Sequence, residues 1–400
     1  MIVVHLCLSG PYTDNWGYQE NLLPLYQAKA GHAVFVIATN TAYGPDGEIV
    51  EKDCGEYLLD GGVRIVRVRP GRLLTRRIGF AYGYYRILDI LRRLRPHFIM
   101  IHGLVSVTAF QAILYKMLVN RRCVLVADTH LDSYCAPTGR SGLRSGLFRS
   151  SISLFGWFYA TQCGELFGVT PGCISYAVRR HRIAPTRFKL LPLGADTDRI
   201  EFARQAELRQ SVRKRYGIPL TDRIIISGGK LDAAKNVRSL VQAAGSANVA
   251  SVTLVVFGSV QADLLDAFNA DVDRYRDRVR YVGFLGLEEI YDLFLAADLA
   301  AFPGTESALW QQAIACGLPA IFKWWPGIEY LDLGGNCTFV RDPDADSIRT
   351  VIEHLFSDSD RLETMAAVAR RQGVLRFSYR SLAAQVLAQG STEPCPRRLQ

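Results

Sequence analysis

An α/β protein with two doubly wound parallel sheets is what this sequence predicts, and three observations carry that reading. Short apolar or β-branched runs alternate with helix-period segments from the first residue to about residue 375. The chain has 400 residues, enough for two domains. A charged segment, 198–222, interrupts the alternation once. The expected organisation is therefore a first domain over 1–197, a linker over 198–222, a second domain over 223–375, and a terminal segment and tail over 376–400.

Each element of the first half has its own signal. Ile2 to Leu8 is a short apolar strand broken by Ser9-Gly10-Pro11, and a polar loop runs on to Trp16-Gly17. Leu22, Leu25, Tyr26 and Lys29 recur at helical spacing within Tyr18 to Ala30, and Gly31-His32 ends that helix. Ala33 to Ala38 is the second strand, so the chain opens as a βαβ unit. Thr39 to Gly62 is polar and rich in Gly and Asp and is expected to be loop. Val63 to Val68 is a strand, set in a basic stretch with Arg64, Arg67, Arg69, Arg72, Arg76 and Arg77. A helix over 79–95 stops at Pro96. Phe98 to Ile101 is a strand ending at His102, Val105 to Val119 a helix, and Cys123 to Ala127 a strand ending at Asp128-Thr129-His130. Gly139 to Tyr159 interleaves Arg140, Arg144 and Arg149 with aromatic and aliphatic residues. That pattern fits a core helix with a solvated basic side, or a helix lying on an anionic membrane. Leu166 to Thr170, Gly172 to His181 and Phe188 to Leu191 complete the half.

The second half repeats the alternation. Strands are expected over 223–227, 252–257, 279–282, 299–302, 319–322 and 337–340. Helices are expected near 204–216 and over 236–245, 260–271, 287–296, 307–316, 344–356 and 360–374. The stretch Ile224 to Val237, I-I-I-S-G-G-K-L-D-A-A-K-N-V, is a strand followed by Gly228, Gly229, Lys230 and Lys235 and then a helix. Glycines allow close backbone approach, a helix N-terminus offers free N–H groups, and two ammonium groups add charge, which together suit a phosphate.

Composition narrows the partners. Lys and Arg exceed Asp and Glu by nine, 47 against 38, and the pI is about 9.1. That balance favours anionic partners such as nucleotides, phosphates or lipid headgroups. Nucleic acid is not expected, because neither zinc-finger spacing nor an RNP-type aromatic motif occurs. The nine cysteines are scattered without a C-x-x-C pair and read as reduced residues of a cytoplasmic protein. The N-terminus lacks the basic start and apolar core of a signal peptide, and no run approaches a membrane span. His102 and His130 stand at the carboxyl ends of successive strands. In open α/β sheets ligands bind at that edge, although either ring could equally cap its strand.

Several motifs together resemble the GT-B glycosyltransferases of family 4, over nearly the whole chain. L-P-L-G-A-D (191–196) is similar to that family's interdomain motif. G-G-K-L-D-A-A-K-N (228–236) resembles its donor diphosphate site, with Lys230 where Arg is usual. V-G-F-L (282–285), A-D-L-A-A-F-P (297–303) and A-I-A-C-G-L-P-A (313–320) resemble its later motifs, and Trp16-Gly17-Tyr18 its first loop. One departure stands out. The family's paired glutamates, eight residues apart, fall here on Gly304 and Gln312, and Glu306 lies off register.

The resemblance implies a GT-B architecture, two Rossmann-like domains facing across a cleft. It also implies retaining transfer from a nucleoside diphosphate sugar to a saccharide or lipid-linked acceptor, in bacterial surface polysaccharide or glycolipid synthesis. Donor binding then falls to Gly228, Gly229, Lys230, Lys235, Phe284, Glu306, Ser307, Ala308, Leu309 and Gln312. Acceptor binding falls to Gly10, Trp16, Gly17, Tyr18, His102 and His130. Lys230, Lys235, His130 and Glu306 are the expected chemical groups, Glu306 having a helix-capping role as its rival reading. No Asp-x-Asp motif marks a metal, and two lysines can replace one, so no metal or other cofactor is expected. A peripheral position at the inner face of the plasma membrane accompanies the basic first domain. A nucleotide-sugar epimerase on the same fold and a non-catalytic nucleotide-sugar-binding subunit are the alternatives.

Overall fold

A computed structural model describes residues 1–44, 48–71, 86–104, 108–132, 153–154 and 156–388. The chain forms two compact units, Met1–Pro192 with the segment from Leu382 onward, and Leu193–Ser381.

The first unit carries an eight-stranded sheet. Its strands are β1 (Ile2–Cys7), β2 (Ala33–Thr39), β5 (Gly55–Leu58), β6 (Val63–Val68), β7 (Phe98–Ile101), β8 (Val124–Thr129), β9 (Glu165–Gly168) and β10 (Phe188–Leu190), in the order β10-β9-β8-β7-β1-β2-β6-β5. All neighbours are parallel except β5, which folds back antiparallel on β6 through Gly61 and Gly62, both at positive φ. The loop expected over 39–62 is therefore partly strand: besides β5, β3 (Thr41–Tyr43) and β4 (Ile49–Glu51) form a two-stranded ladder. Three- and four-residue strands, half of them exposed, leave no hydrophobic period to read.

Helix Gln19–Lys29 follows β1. The helix expected over 79–95 is seen as Leu88–Leu94, ended by Arg95 in the left-handed region, and that over 105–119 as Ala109–Leu118. Residues 72–85 and 105–107 lie outside the described residues. So do Arg140, Arg144, Arg149 and the tail over 390–400. Of the expected 139–159 helix, residues 153–154 and 156–159 are described as helical, and the helix continues to 162. Arg67, expected in a solvated basic stretch, is instead 3% exposed. Its guanidinium donates to Thr39 O, Tyr12 O, Asp14 Oδ1 and Tyr57 Oη at 2.6–3.0 Å, and so pins the loop after β1.

The second unit has six parallel strands, β11 (Arg223–Leu231), β12 (Val252–Val260), β13 (Val279–Tyr281), β14 (Leu299–Phe302), β15 (Ala320–Lys323) and β16 (Cys337–Val340), in the order β13-β12-β11-β14-β15-β16. Both faces are buried, and the side-chain period of two sorts them. Ile224, Ile226, Val255, Phe257, Ala300 and Phe302 join one apolar cluster, and Ile225, Leu254, Val256, Leu299 and Ala301 the other. Helices 287–296 and 205–216 match expectation closely, and a further helix, Tyr379–Ala388, occupies part of the expected terminal tail. Strand order reverses between β1 and β7 in the first sheet and between β11 and β14 in the second. Ligands bind outside the carboxyl ends at such reversals.

Candidate functional site

In the second unit β11 runs four residues further than expected, through Gly228 to Leu231, paired with β12 as Gly229 with Gly258. Gly229 and Gly258 have φ of 113° and 116°, and a Cβ on Gly258 would stand 1.8 Å from Gly229 O. A Cβ on Gly228 would meet the Phe257 ring at 2.5 Å. These glycines are thus required by strand packing, whatever ligand approaches them. The helix does not open at the glycines either. Asp232 and a single 3-10 turn, Ala233–Lys235, intervene, Asn236 takes a left-handed conformation, and the helix begins at Val237.

That turn is fastened to the loop after β14. Lys235 Nζ donates to Thr305 O at 2.5 Å and Glu306 O at 3.3 Å, Asn236 Nδ2 to Pro303 O at 2.9 Å, and Thr305 N to Ala234 O at 3.0 Å. Gly304 permits the contact, because a Cβ there would lie 2.3 Å from Lys235 Cα. Lys230 is exposed.

Glu306 precedes Ser307, the N-cap residue of the helix Ala308–Ala315, which makes no side-chain cap bond. Glu306 Oε1 accepts from Gln311 Nε2 at 2.9 Å and from the Tyr330 hydroxyl. Gln312 is 3% exposed, and its Oε1 has no partner among the described residues, nor has Gln311 Oε1. Buried acceptors left unmatched suit a ligand that brings donors. Leu309 packs against Gly229, and Ser307 and Ala308 are half-buried beside it. Phe284 is 78% exposed and follows Gly283, whose carbonyl accepts from Gly258 N at 2.7 Å. The structure therefore gathers Gly228, Gly229, Lys235, Glu306 and Leu309 at the reversal, beside the exposed Lys230, and leaves Phe284 exposed after the edge strand β13.

The first unit holds a different kind of site. His5 on β1, His102 after β7, and Asp128 and His130 at the end of β8 follow the two-residue period onto one sheet face, which helix Gln19–Lys29 flanks with Gln19, Glu20 and Gln27. His5 Nε2 meets Gln27 Oε1 at 2.8 Å, His5 Nδ1 meets His102 Nε2 at 2.9 Å, and His102 Nδ1 meets Asp128 Oδ2 at 2.7 Å. Asp128 also accepts from Gly103 N at 2.9 Å and Gln19 Nε2 at 3.2 Å. His130 Nε2 lies 3.4 Å from Asp128 Oδ2, close enough for charge attraction but not aligned as a hydrogen bond.

The charges follow from these neighbours. Burial disfavours the Asp128 carboxylate, but the histidines beside it prevail and hold its pKa well below the usual range. Burial likewise opposes the His130 imidazolium, yet the Asp128 carboxylate, with Glu20 adding, pushes its pKa up to about 9. Burial, reinforced by His102, pushes His5 down to about 3, so it stays neutral. Glu20, His102 and His130 have ligand atoms within 4.8 Å of one another and could hold a metal ion. A metal at His102 would displace His5 or Asp128. In the same unit Trp16 stacks on Tyr43 and meets Tyr18 edge-on, while Gly10 has open space at its Cβ position.

Two family models match, "Glycosyl transferases group 1" over residues 209–372 and "Glycosyltransferase Family 4" over residues 25–199. The chain is a GT-B glycosyltransferase. No curated protein sequence matches it. Among solved structures, a glycosyltransferase from Rickettsia africae is similar at a TM-score of 0.72 and 13% identity, covering 97% of each chain. HepE from Anabaena, in complex with UDP, is similar at 0.67 and 13%, covering 97% of this chain and 98% of that one. WaaG, a glycosyltransferase involved in lipopolysaccharide biosynthesis, is similar at 0.64 and 16%, covering 98% and 100%. These likenesses concern the fold.

Within this glycosyltransferase the sequence pointed to His102 and His130 but passed over Asp128, His5, Gln19, Glu20 and Gln27. A histidine in the middle of the apolar run I-V-V-H-L-C is the one signal that could have led to them. Gln311 and Tyr330, the partners of Glu306, left no sequence signal.

Proposed function

We propose that the protein is a retaining glycosyltransferase whose second unit holds a nucleoside diphosphate sugar and whose first unit holds the acceptor. The observation that carries this is the fastening of Lys235 to the 303–306 loop at the strand-order reversal, beside Gly229 and the exposed Lys230. Two ammonium groups there suit a leaving diphosphate, whose charge grows as the sugar departs. The UDP complex of the structurally similar HepE supports a nucleotide donor. Glu306, held by Gln311 and Tyr330, and Gln312, with its unmatched amide oxygen, supply acceptors for sugar and ribose hydroxyls. Front-face attack within an ion pair gives retention without a protein nucleophile. The reading needs no metal, because the lysines carry the charge.

The acceptor side includes His130 and the Trp16–Tyr18 loop. A saccharide or lipid-linked acceptor of a surface polysaccharide or glycolipid fits a first unit that docks on an anionic bilayer. Phe110, Leu114, Met117 and Leu118 lie along one stripe of helix Ala109–Leu118, all but the half-buried Leu114 exposed. Phe158 lies beside Phe110, Trp157 is exposed in the same helix as Phe158, and Lys116, Arg121 and Arg122 supply the matching charge. Among the described residues no helix is long and apolar enough to cross a membrane.

The test is a panel of nucleotide sugars with saccharide and lipid-phosphate acceptors, with the product anomer read by NMR. Transfer with the anomeric configuration kept is expected. An inverted product refutes retention. Interconversion of free nucleotide sugars makes the protein an epimerase, and binding without turnover makes it a carrier.

A further inference from the structure

Trp16 and Tyr43 stack with ring centroids 5.8 Å apart and planes at 9°, and Tyr18 meets Trp16 edge-on at 5.1 Å. Trp16 is half-buried, whereas Tyr18 is 51% and Tyr43 37% exposed, so the tyrosines carry the accessible ring area. A single exposed ring is ordinary, but three in contact form a patch that favours being covered. The patch is also held in shape. Tyr12 N donates to Thr41 O at 2.8 Å, Tyr43 N to Thr13 Oγ1 at 2.9 Å, and Thr39 Oγ1 to Gly10 O at 3.1 Å, which stitches the loop after β1 to β3 and to the end of β2. Asn21 Nδ2 ties Thr13 O to helix Gln19–Lys29 at 2.9 Å. Arg67, with 1% of its side chain accessible, reaches from β6 to Tyr12 O, Thr39 O and Asp14 Oδ1 at 2.9–3.0 Å. A buried guanidinium costs desolvation that its bonds must offset. The result is a loop whose shape is set before any ligand arrives, which lowers the ordering cost of binding.

We propose that Trp16, Tyr18 and Tyr43 form a stacking platform for a neutral sugar ring of the acceptor, and that Arg67 is the positioning residue that holds the platform in shape. The inference rests on the transferase reading above and names the chemistry of its acceptor. A pyranose has an apolar face of C–H bonds and a rim of hydroxyls. Aromatic rings cover the first at little cost in side-chain freedom. Trp16 Nε1 and the hydroxyls of Tyr18 and Tyr43 have no hydrogen-bond partner among the described residues and can serve the second. Charge argues for a neutral ring. Arg67 is buried and paired with Asp14, and the exposed Glu48 carboxylate lies against Gly44, the residue after Tyr43. Rings edged by carboxylates suit neither a phosphate nor an anionic bilayer, in a chain whose net charge is +9. The aliphatic side chains and cations that a bilayer needs lie on and beside helix Ala109–Leu118 instead.

The experiment is an NMR titration of the indole N–H signals of the full chain, with Trp16 assigned from the signal lost in Trp16→Phe. The probes are glucose, galactose, mannose and their short oligomers, beside inorganic phosphate and a short-chain phosphatidylglycerol. Neutral saccharides should move the Trp16 signal, and phosphate and lipid should not. Tyr43→Ala should weaken saccharide binding about three- to tenfold, and Tyr43→Phe, which restores the ring, should recover most of that loss. Arg67→Lys keeps the charge but loses the fork, and should weaken binding of the same saccharides. In transfer assays Tyr43→Ala should raise the acceptor KM and leave the donor KM unchanged. A Trp16 signal that no neutral saccharide moves, or that only phosphate or lipid moves, overturns the proposal, even where Arg67→Lys fails to fold. So does Tyr43→Ala with wild-type saccharide binding or an unchanged acceptor KM. Saccharide binding at Trp16 in a protein that transfers from no donor refutes the transferase reading and leaves the platform standing.

Discussion

Replacing Lys235 by alanine tests the donor side most directly, because the ammonium has one task seen in the structure and one proposed. It donates to Thr305 O and Glu306 O, and so holds the loop after β14 against the turn over 233–235. On the proposed reading it also supplies positive charge beside the donor diphosphate. A hydrogen bond from a charged group contributes about 1.5–3 kcal/mol, and the half-buried position of Lys235 places its share at the lower end. Losing one donor that stabilises developing charge costs about 2.7–4 kcal/mol in the transition state, a hundredfold or more in rate. Lys235→Ala should therefore unfold slightly more easily and transfer at least a hundredfold more slowly. The loop keeps two other fasteners, Asn236 Nδ2 to Pro303 O and Thr305 N to Ala234 O, so the fold should survive. Gly304→Ala is the complementary variant. It keeps both lysines but drives a methyl group to within 2.3 Å of Lys235 Cα, pushing the loop away at a cost of about 1–3 kcal/mol. Steady-state kinetics with the best donor of the panel, beside urea unfolding of each variant, separates the two tasks. A Lys235→Ala enzyme within threefold of the wild-type rate refutes the assignment. Lys230→Arg should stay active, since the exposed position has room and the charge is kept.

Three further outcomes follow from the same geometry. Transfer should persist after chelator treatment, and activity lost to chelator and restored by Mg²⁺ or Mn²⁺ would contradict the lysine reading. Thermal stability should peak near pH 6.5. The raised His130 pKa contributes stability that is fully present below 6.5 and lost as pH rises through about 9, worth about 3 kcal/mol. The lowered His5 pKa makes stability fall as pH drops from 6.5 toward 3, and an unfolding midpoint flat from pH 4 to 9.5 would be inconsistent with both. Finally, the protein should co-sediment with anionic but not neutral vesicles, less so at high salt, with each Lys or Arg near the leaflet contributing about 1 kcal/mol. Leu118→Glu with Trp157→Ala should release it. Unchanged binding would place docking elsewhere, and no binding would point to a soluble acceptor.

Much of the fold was legible because its signals are local. In the second unit the expected strands over 299–302 and 337–340 and the helix over 287–296 coincide with the observed ones, since each is bounded by a change of period within a few residues. The glycine–lysine stretch was legible as a candidate site for the same reason, although its two glycines turn out to be demanded by the strand itself. The short strands between 41 and 58 were not, because three or four residues carry no period. Helix Tyr379–Ala388 was hidden by its nearness to a Pro- and Arg-rich tail.

The two α/β halves and the family were readable from the sequence, and it pointed to the carboxyl end of each sheet as the candidate site. Which side chains meet there was decided only in three dimensions. His5 reaches His102 across 97 residues, Asp128 reaches His102 across 26, and Lys235 reaches the loop at 305 across 70. Those contacts exist because parallel crossovers place β1 beside β7 and β11 beside β14, and strand order is a property of how the whole chain packs. The charge of His130 depends in turn on a carboxylate held by residues from another strand and from a helix, and no local pattern records that.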